Sequence, residues 1–260
     1  MDHRSLQIFT GCSGFSYKEW KGLFYPNDLG PAKWFEYYCT QFNTVELNVT
    51  FYRLPLLSTL QGWHKKSPEH FLFSVKAPKL ITHYMQFRQT ASQQQDFYTL
   101  VQKGLAEKLG PILYQLPAAL VFNEEVLNRI LENMDSRFTN VVEFRHKSWW
   151  QEKTYRALSE RGVVFCSCSY PGLPDDVIRG AGTVYYRFHG VPKLYVSPYE
   201  TSFIGQVIEQ TAKDGATDKA FLYFNNTAKG AAIKNAQEAV RLAGPTAFPP
   251  YPPGSGYLHR

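Results

Sequence analysis

The stretch Thr183–Gly190, with the sequence TVYYRFHG, decides the fold because it combines a buried-strand pattern with charged side chains. It is rich in β-branched and aromatic residues and ends at a glycine, which is typical of a strand inside a domain. Tyr185, Arg187 and His189 stand two residues apart, so they point to one face of that strand. Buried charges need partners. The stretch therefore predicts a strand whose inner face lines a polar cavity.

Short apolar runs of the same kind recur along the whole chain. The eight predicted strands are Leu6–Cys12, Thr44–Thr50, Phe71–Ala77, Pro111–Pro117, Val141–Arg145, Val163–Ser169, Thr183–Gly190 and Lys219–Asn226. Helical patterns lie between most of them, at Ala32–Phe42, Leu56–Ser67, Gln93–Leu109, Asn123–Met134, Thr154–Glu160, Ser202–Lys213 and Ala231–Leu242. Turn-forming residues at Tyr170–Pro174 predict that the helix after strand six is reduced or irregular.

Eight strands that alternate with helices in 260 residues predict an α/β fold, a TIM-like (β/α)8 barrel in a single domain. The alternative is a doubly wound open sheet, whose usual fingerprint is a G-x-G-x-x-G turn after the first strand. Gly11–Tyr17 reads GCSGFSY and does not match that fingerprint. We expect the barrel to occupy residues 1–244 and a proline-rich tail to occupy residues 245–260.

Composition narrows the class of partner. The formal net charge is +6, which favours a small anionic ligand and leaves nucleic acid as an alternative, although a solvated basic surface would give the same count. No apolar run approaches the roughly 18 residues of a membrane span, and the start is polar, so we expect no membrane partner. The four cysteines lack metal-ligand spacing, and we interpret them as reduced thiols of a cytoplasmic protein.

Polar residues lie at the C-terminal ends of the predicted strands, with matching parity. In a barrel such residues point inward and reach the mouth, where active sites form. The set consists of Glu46, Asn48, Lys76, Gln115, Glu143, Arg145, Arg187, His189 and Asn225. We predict that these side chains converge at one mouth. The alternative is a buried ion-pair network that only holds the barrel together.

The predicted catalytic residues are Glu46, Glu143, His189 and Lys76. The carboxylates are candidate acids or bases, His189 is a candidate proton shuttle, and Lys76 is either a point charge for an anion or a low-pKa amine able to form a Schiff base. The predicted substrate-binding residues are Asn48, Gln115, Arg145, Arg187, Asn225 and the loop rings Tyr17, Trp20, Tyr52 and Trp149. The loop rings could equally form a lid that packs against itself.

No cofactor is predicted. A divalent metal is the weaker alternative, because Glu46, Glu143, His146 and His189 are possible ligands without the spacing of a known metal motif.

Several segments that carry these residues resemble the domain-of-unknown-function 72 family, also called YecE-like proteins, collinearly from about Phe9 to Leu242. They include Gly11–Tyr17 with Trp20, Phe42–Asn48 with Thr50–Tyr52, Phe73–Pro78 with Ile81–His83, Leu109–Pro111 with Gln115–Pro117, Val142–His146 with Ser148–Trp149, Arg187–Gly190, and Tyr223–Asn226 with Gly230 and Asn235–Ala236. The resemblance implies a TIM-like barrel but no settled reaction.

We therefore expect an acid/base and anion-binding site at the barrel mouth that acts on a small, phosphorylated substrate, with a hydrolase or a lyase as candidate reaction classes. In that role Glu46 or Glu143 is the base, His189 the acid, and Lys76, Arg145 and Arg187 clamp the anion. One alternative is a nucleic-acid-binding or phosphodiester-processing protein. Another is a non-catalytic ligand-binding protein that uses the same pocket.

Overall fold

Residues 6–244 of the chain are described by a computed structural model, in which strands and helices alternate. The strands are β1 Gln7–Cys12, β2 Thr44–Leu47, β3 Leu72–Lys76, β4 Leu109–Gln115, β5 Asn140–Glu143, β6 Val164–Ser169, β7 Thr183–Phe188 and β8 Lys219–Phe224. The α-helices are α1 Trp34–Cys39, α2 Val49–Tyr52, α3 Leu57–Lys66, α4 Ala91–Leu105, α5 Glu124–Glu132, α6 Glu152–Glu160, α7 Thr201–Ala212 and α8 Ala231–Ala243. The predicted tail at 245–260 lies outside the described residues.

All eight strands form one parallel sheet in the order β1-β8-β7-β6-β5-β4-β3-β2, and its two ends, β1 and β2, lie side by side. This is a nearly closed TIM-like barrel, and it confirms the predicted fold class. No helix follows β6 directly, since the segment 170–182 contains none, which confirms the expectation of an irregular connection there. None of the helices in the described part of the chain is long and apolar enough to cross a membrane.

Side chains bridge the junction between β1 and β2. The Tyr38 hydroxyl accepts a hydrogen bond from Cys12 N at 2.7 Å and donates one to Thr44 O at 3.0 Å. A Cβ atom on Gly11 would lie 2.0 Å from Thr44 O, so only glycine fits at this point of β1. The close approach of the two strands therefore depends on a missing side chain and on one inserted tyrosine.

The side-chain amide of Asn43 makes a second bridge across the same junction. Its Oδ1 accepts from Thr10 N at 2.9 Å, and its Nδ2 donates to Ile8 O at 3.2 Å. An amide side chain offers both a donor and an acceptor, so it can replace the backbone partner that β1 lacks. These bridges leave the barrel interior shielded at the junction.

Apolar residues fill the interior of the barrel below the mouth. Inward-facing side chains of six strands form one cluster that consists of Phe9, Leu113, Val141, Val164, Cys166, Tyr185, Phe221 and Tyr223. The outward-facing side chains pack with the helices in a larger core. This division follows from the alternation of side chains along each strand.

Several predicted strands end earlier than expected. β2 ends at Leu47, because Asn48 already has helical backbone angles and occupies the N-cap position of α2, without a capping hydrogen bond from its side chain. β5 ends at Glu143 and β7 at Phe188, so Arg145 and His189 stand on the loops just above the sheet. The polar set predicted on strand ends therefore lies partly on the first loop residues.

Candidate functional site

A buried arginine joins two carboxylates across the barrel at its C-terminal end. Arg187 Nη2 donates to Glu46 Oε1 at 2.6 Å, and its Nη1 donates to Glu143 Oε2 at 2.7 Å. All three side chains are at most 1% exposed. We call Glu46, Glu143 and Arg187 the charged floor, since they close the bottom of the mouth.

Hydroxyl groups separate the charged floor from the apolar interior. The Tyr185 hydroxyl donates to Glu46 Oε2 at 2.6 Å. A second group of hydroxyls lies on neighbouring strands, where the Tyr223 hydroxyl is 2.5 Å from Thr44 Oγ1 and 2.7 Å from Ser74 Oγ. Tyr185 therefore supplies the hydrogen bond that the buried Glu46 carboxylate requires.

The imidazole of His189 contacts the charged floor, and its hydrogen bonds fix its tautomer. Its Nε2 is 2.8 Å from Glu143 Oε1, and its Nδ1 is 2.9 Å from Asn225 Nδ2. A carboxylate only accepts, so Nε2 carries the hydrogen towards Glu143 and Nδ1 accepts from the Asn225 amide. Arg145 Nη2, which only donates, lies 3.2 Å from the same Nε2 and makes no hydrogen bond to it in this tautomer. Burial, reinforced by Arg145 and Arg187, holds the pKa of His189 well below its usual range. The imidazole is therefore neutral in the resting protein.

Arg145 covers the same carboxylate from above. Its Nε lies 3.0 Å from Glu143 Oε1, and its Cζ lies 4.4 Å from the centre of the Tyr170 ring. Burial alone would raise the pKa of the Glu143 carboxyl, but Arg145 and Arg187 outweigh burial and hold that pKa well below its usual range. Glu143 is thus a saturated anion and a poor proton acceptor.

Lys76 reaches the mouth from the end of β3. Its Nζ donates to Gln115 Oε1 at 2.9 Å and lies 3.9 Å from the centre of the Phe51 ring. Gln115 is held in turn, because its Nε2 donates to Leu116 O at 2.6 Å. Burial, with a contribution from Arg187, lowers the pKa of Lys76 to about 7. A substantial fraction of this amine is therefore unprotonated at neutral pH.

His83, at the rim of the mouth, also lies in a positive electrostatic potential. Its ring packs edge-on against Phe51, with 5.1 Å between ring centres, and its Nδ1 lies 2.9 Å from Thr82 Oγ1. Burial, followed by the charges of Lys76 and Lys79, lowers the pKa of His83 to about 4. The rim between β2 and β3 therefore disfavours added protons and favours anions.

The remaining predicted site residues are less closely placed. Asn48 is half-buried, and its Oδ1 is buried without a hydrogen-bond partner. Tyr17 is half-buried, and its hydroxyl donates to Ser13 O at 2.5 Å. Tyr52 is 80% exposed on α2. These three side chains stand around the mouth without touching the charged floor.

Trp20 and Trp149 lie in the core. Both indoles are fully buried, and their N–H groups donate to Thr227 O at 3.0 Å and Leu120 O at 2.7 Å. Their ring faces pack on other aromatic rings, Trp149 against Phe144 at 4.2 Å. The sequence placed them on mouth-side loops correctly, but a loop residue of this size buries itself when the loop folds back.

Two tyrosines near His189 were not predicted. Tyr170 and Tyr195 stand edge-on to the imidazole, with ring centres 5.6 Å and 6.4 Å away. Tyr170 directly follows β6, so its position after a strand end is a signal that the sequence contains. Tyr195 belongs to the long connection after β7, where no local pattern distinguishes it.

Glu143, Cys168 and His189 bring three potential metal ligands within 4.8 Å of one another, all of them buried. Two features oppose a cation there. The guanidiniums of Arg145 and Arg187 already occupy the Glu143 oxygens, and burial raises the pKa of the Cys168 thiol. His146 takes another direction, with its Nδ1 2.8 Å from Ser148 Oγ. The donor set therefore fits a hydrogen-bonded network better than a metal centre.

Proteins similar to this chain are known from other organisms. The sequence profile of the family described as "Protein of unknown function DUF72" matches residues 9–254. The crystal structure of a DUF72 family protein from Thermotoga maritima is 28% identical, covers 91% of this chain and 98% of that one, and superposes with a TM-score of 0.81.

Two further relatives are more distant in sequence. The crystal structure of a DUF72 family protein from Enterococcus faecalis is 19% identical over 91% of this chain and 95% of that one, with a TM-score of 0.73. UPF0759 protein YunF from Bacillus subtilis is 23% identical, and the match covers 90% of this chain and 94% of that protein.

Proposed function

The chain belongs to the DUF72 family of proteins of unknown function, and we propose that it is an enzyme that acts on a small anionic substrate, such as a phosphate ester, at the mouth of the barrel. The observation that carries this proposal is the charge at the mouth: Arg145 neutralises the charged floor, and protonated Lys76 then adds one positive charge that no carboxylate within residues 6–244 pairs. The proposal concerns the substrate class and the groups that handle it.

The charge balance of the cluster supports an anion. Glu46 and Glu143 contribute two negative charges, against three positive charges from Arg145, Arg187 and protonated Lys76. The excess positive charge is largely buried, which is unfavourable unless a counter-ion is present. Burial is the main cause of the lowered pKa values of Lys76 and His83, and the neighbouring cations, Arg187 for Lys76 and Lys76 for His83, lower them further. A bound anion would relieve it.

The contacts also divide the roles. Arg187 is consumed by the floor, so it positions the two carboxylates and is not free to clamp a substrate. Arg145 is 7% exposed and is held by Glu143 and Tyr170, which leaves it at the edge of the mouth. Its Nε and Nη2 already face Glu143 and His189, so Arg145 would meet a phosphate or carboxylate through the remaining nitrogen, Nη1.

Lys76 is the group best suited to proton transfer. A base works best when its pKa lies near the working pH, and the pKa of Lys76 is about 7. Glu143, by contrast, is fully buried and saturated by arginine and histidine contacts. We therefore assign the acid/base role to Lys76, and we assign the positioning of Arg145 and His189 to Glu143.

The binding part of the proposal is tested by calorimetry with sulfate, a dianion that does not titrate near pH 7. We expect saturable binding at pH 7.5 with uptake of a fraction of a proton, because a neighbouring anion raises the pKa of Lys76. Arg145→Gln should weaken binding about tenfold, the value of one charge-assisted hydrogen bond. Arg156→Gln, at an exposed arginine of α6, is the matched control and should bind normally. Equal binding by the two variants would contradict the proposal.

The catalytic part is tested by turnover. A mixture of phosphate esters incubated with the protein should lose particular components by mass spectrometry, and Lys76→Met should abolish that loss while keeping the native circular dichroism spectrum. If the wild type binds sulfate but converts nothing in the mixture, the non-catalytic ligand-binding alternative takes the place of the enzyme.

A further inference from the structure

We propose that Lys76 is a nucleophilic amine that forms an imine with an aldehyde or ketone group of the anionic substrate. This inference rests on the proposed function, since it concerns the same mouth and names the reacting part of the substrate. It adds that the substrate carries a carbonyl group as well as a negative charge.

The surroundings of the Lys76 amine leave it available to react. Its Nζ donates one hydrogen bond, to Gln115, and its other close neighbour is the face of the Phe51 ring. Within residues 6–244 no carboxylate forms an ion pair with it, because Arg187 holds both Glu46 and Glu143. An amine with one hydrogen-bond acceptor and no ion pair can rotate towards a bound molecule.

A second buried lysine of the same chain shows the opposite arrangement. Lys108 Nζ donates to His64 O at 2.8 Å, to Ser67 O at 2.8 Å and to Ser67 Oγ at 3.0 Å. Its three donors are satisfied at the end of α3, which is a structural role. Burial lowers the pKa of Lys108 as it does that of Lys76. The two lysines differ in the number of partners, and only for Lys76 does the pKa fall to about 7, so Lys108 is an internal control for a buried lysine whose donors are all satisfied.

The reaction balances without any group that the mouth lacks. The lone pair of the unprotonated Nζ forms a bond to the carbonyl carbon, and the C=O π pair moves to oxygen, which takes a proton from the nitrogen. The resulting carbinolamine takes one further proton from the solvent and loses its hydroxyl as water, while the nitrogen lone pair forms the C=N⁺ bond. One amine, one carbonyl and one proton thus give one iminium and one water.

The mouth is arranged to hold such an adduct. The iminium has the same charge as the ammonium, so it keeps the contacts of Lys76 with Gln115 and the Phe51 ring. Arg145 would take the anionic end of the substrate. An iminium draws electrons from the neighbouring carbon and so promotes cleavage of a bond there, which is the chemistry of a lyase rather than of a hydrolase.

Reductive trapping tests the inference. The protein is incubated at pH 7 with sodium cyanoborohydride and, in separate samples, glyoxylate, pyruvate or dihydroxyacetone phosphate, and the adduct is located by peptide mapping. We expect one of the three to add a single reduced adduct at Lys76, at least tenfold faster than at Lys108. Lys76→Arg should lose the adduct but still bind sulfate, because it keeps a cation at the mouth. Lys108→Met should trap as the wild type does.

The outcomes separate this inference from the proposed function. Sulfate binding without an adduct at Lys76 overturns the imine and leaves the anion-binding enzyme standing. Loss of both overturns both. Adducts spread evenly over the lysines also overturn the imine. If Lys76→Arg fails to fold, competitive acetylation of the wild type decides: Lys76 should react at least tenfold faster than Lys108 at pH 7, and equal rates contradict the inference.

Discussion

His189 donates from Nε2 to Oε1 of Glu143 over 2.8 Å, and both side chains are completely buried. In this pair Glu143 is charged and His189 is neutral, because Arg145 and Arg187 supply the positive charge that His189 would otherwise provide. Such an arrangement makes His189 a hydrogen-bond donor to the floor in the resting protein. Its protonation would require the floor to open or an anion to arrive.

The neutral imidazole can be observed directly. We expect ¹⁵N NMR of the histidine rings to show His189 as the Nε2–H tautomer at pH 7.5 and still at pH 5.5, since burial and two guanidiniums hold its pKa well below 6.5. Unfolded protein at the same pH values is the control and should titrate in the ordinary way. A folded-state midpoint near 6.5 would contradict the assigned contacts.

The same shift sets the direction of acid denaturation. When the pKa of a group is lower in the folded protein than in the unfolded protein, the folded protein is most stable above the unfolded-state pKa. It loses stability as the pH falls from there towards the folded-state pKa. His189 should therefore lower the free energy of unfolding below pH 6.5, by at most about 1.4 kcal/mol per pH unit. Glu143 adds a loss of the same sign below about pH 4.5. Urea unfolding between pH 7.5 and 4 measures the slope, and constant stability would contradict it.

Removal of the Glu143 charge should destabilise the protein strongly. In Glu143→Gln the guanidiniums of Arg145 and Arg187 lose the anion they share, and unpairing buried charges in this way costs about 3–5 kcal/mol. Glu125→Gln, which breaks an exposed ion pair with Arg129, is the control and should cost at most about 0.5 kcal/mol. Urea unfolding measures both. Glu143→Gln at control level would show that the floor is not a stabilising network.

This expectation also limits how catalysis can be tested. Loss of turnover in Glu143→Gln would follow from damage to the floor as readily as from loss of a base. Lys76 is the better residue to substitute in a test of catalysis, because the side-chain hydrogen bond that its substitution removes is the one to Gln115 and not part of the charged floor.

The sequence was sufficient to predict the barrel and the inward side of each strand. Glu46, Glu143 and Arg187 were expected at one mouth from parity alone, since parity is a local property of a strand. Their mutual pairing was not predictable, because it depends on which side chains face each other across the barrel. The sequence therefore left open whether Arg187 clamps a substrate or a carboxylate.

The same limit explains why two of the predicted loop rings are buried. Trp20 and Trp149 follow strands β1 and β5 as mouth residues should, yet their loops fold back and bury the indoles. Tyr170 has less apolar surface and stays half-buried over Arg145. Burial of a loop residue is decided by the path of the loop, which periodicity does not encode.

The junction between β1 and β2 should be intolerant of any side chain at Gly11. In Gly11→Ala the new Cβ would lie 2.0 Å from Thr44 O and 2.7 Å from the Tyr38 hydroxyl, so β1 and β2 would have to separate. We expect a loss of about 3 kcal/mol or more in the free energy of unfolding, at the upper end of overpacking effects.

Gly62→Ala is the matched control for that substitution. Gly62 lies inside α3, and nothing stands within 4 Å of an added Cβ. Alanine is the better helix former, so this variant should gain about 0.5–1 kcal/mol. Thermal or urea unfolding of the two variants should therefore move in opposite directions, and a neutral Gly11→Ala would show that the two strands are further apart than described.

Lys76→Met should stabilise the protein near neutral pH, in a way that identifies the amine. The folded-state pKa of Lys76 is about 7, against 10.5 for an ordinary lysine, so above pH 7 the unfolded chain holds a proton that the folded chain has released. Stability linked to Lys76 therefore rises with pH from about 7 to about 10.5, by about 1.4 kcal/mol per unit.

Methionine has no such proton. Below pH 6.5 the Lys76→Met variant should thus be the more stable protein, by an amount that does not change with pH. Between pH 7 and 9 the stability of the wild type should rise relative to that of the variant. Taking the difference cancels the buried tyrosines and cysteines, which titrate alike in both proteins. A difference that does not change with pH would mean that Lys76 stays charged in the folded protein, and the amine would then have no role as a base or nucleophile.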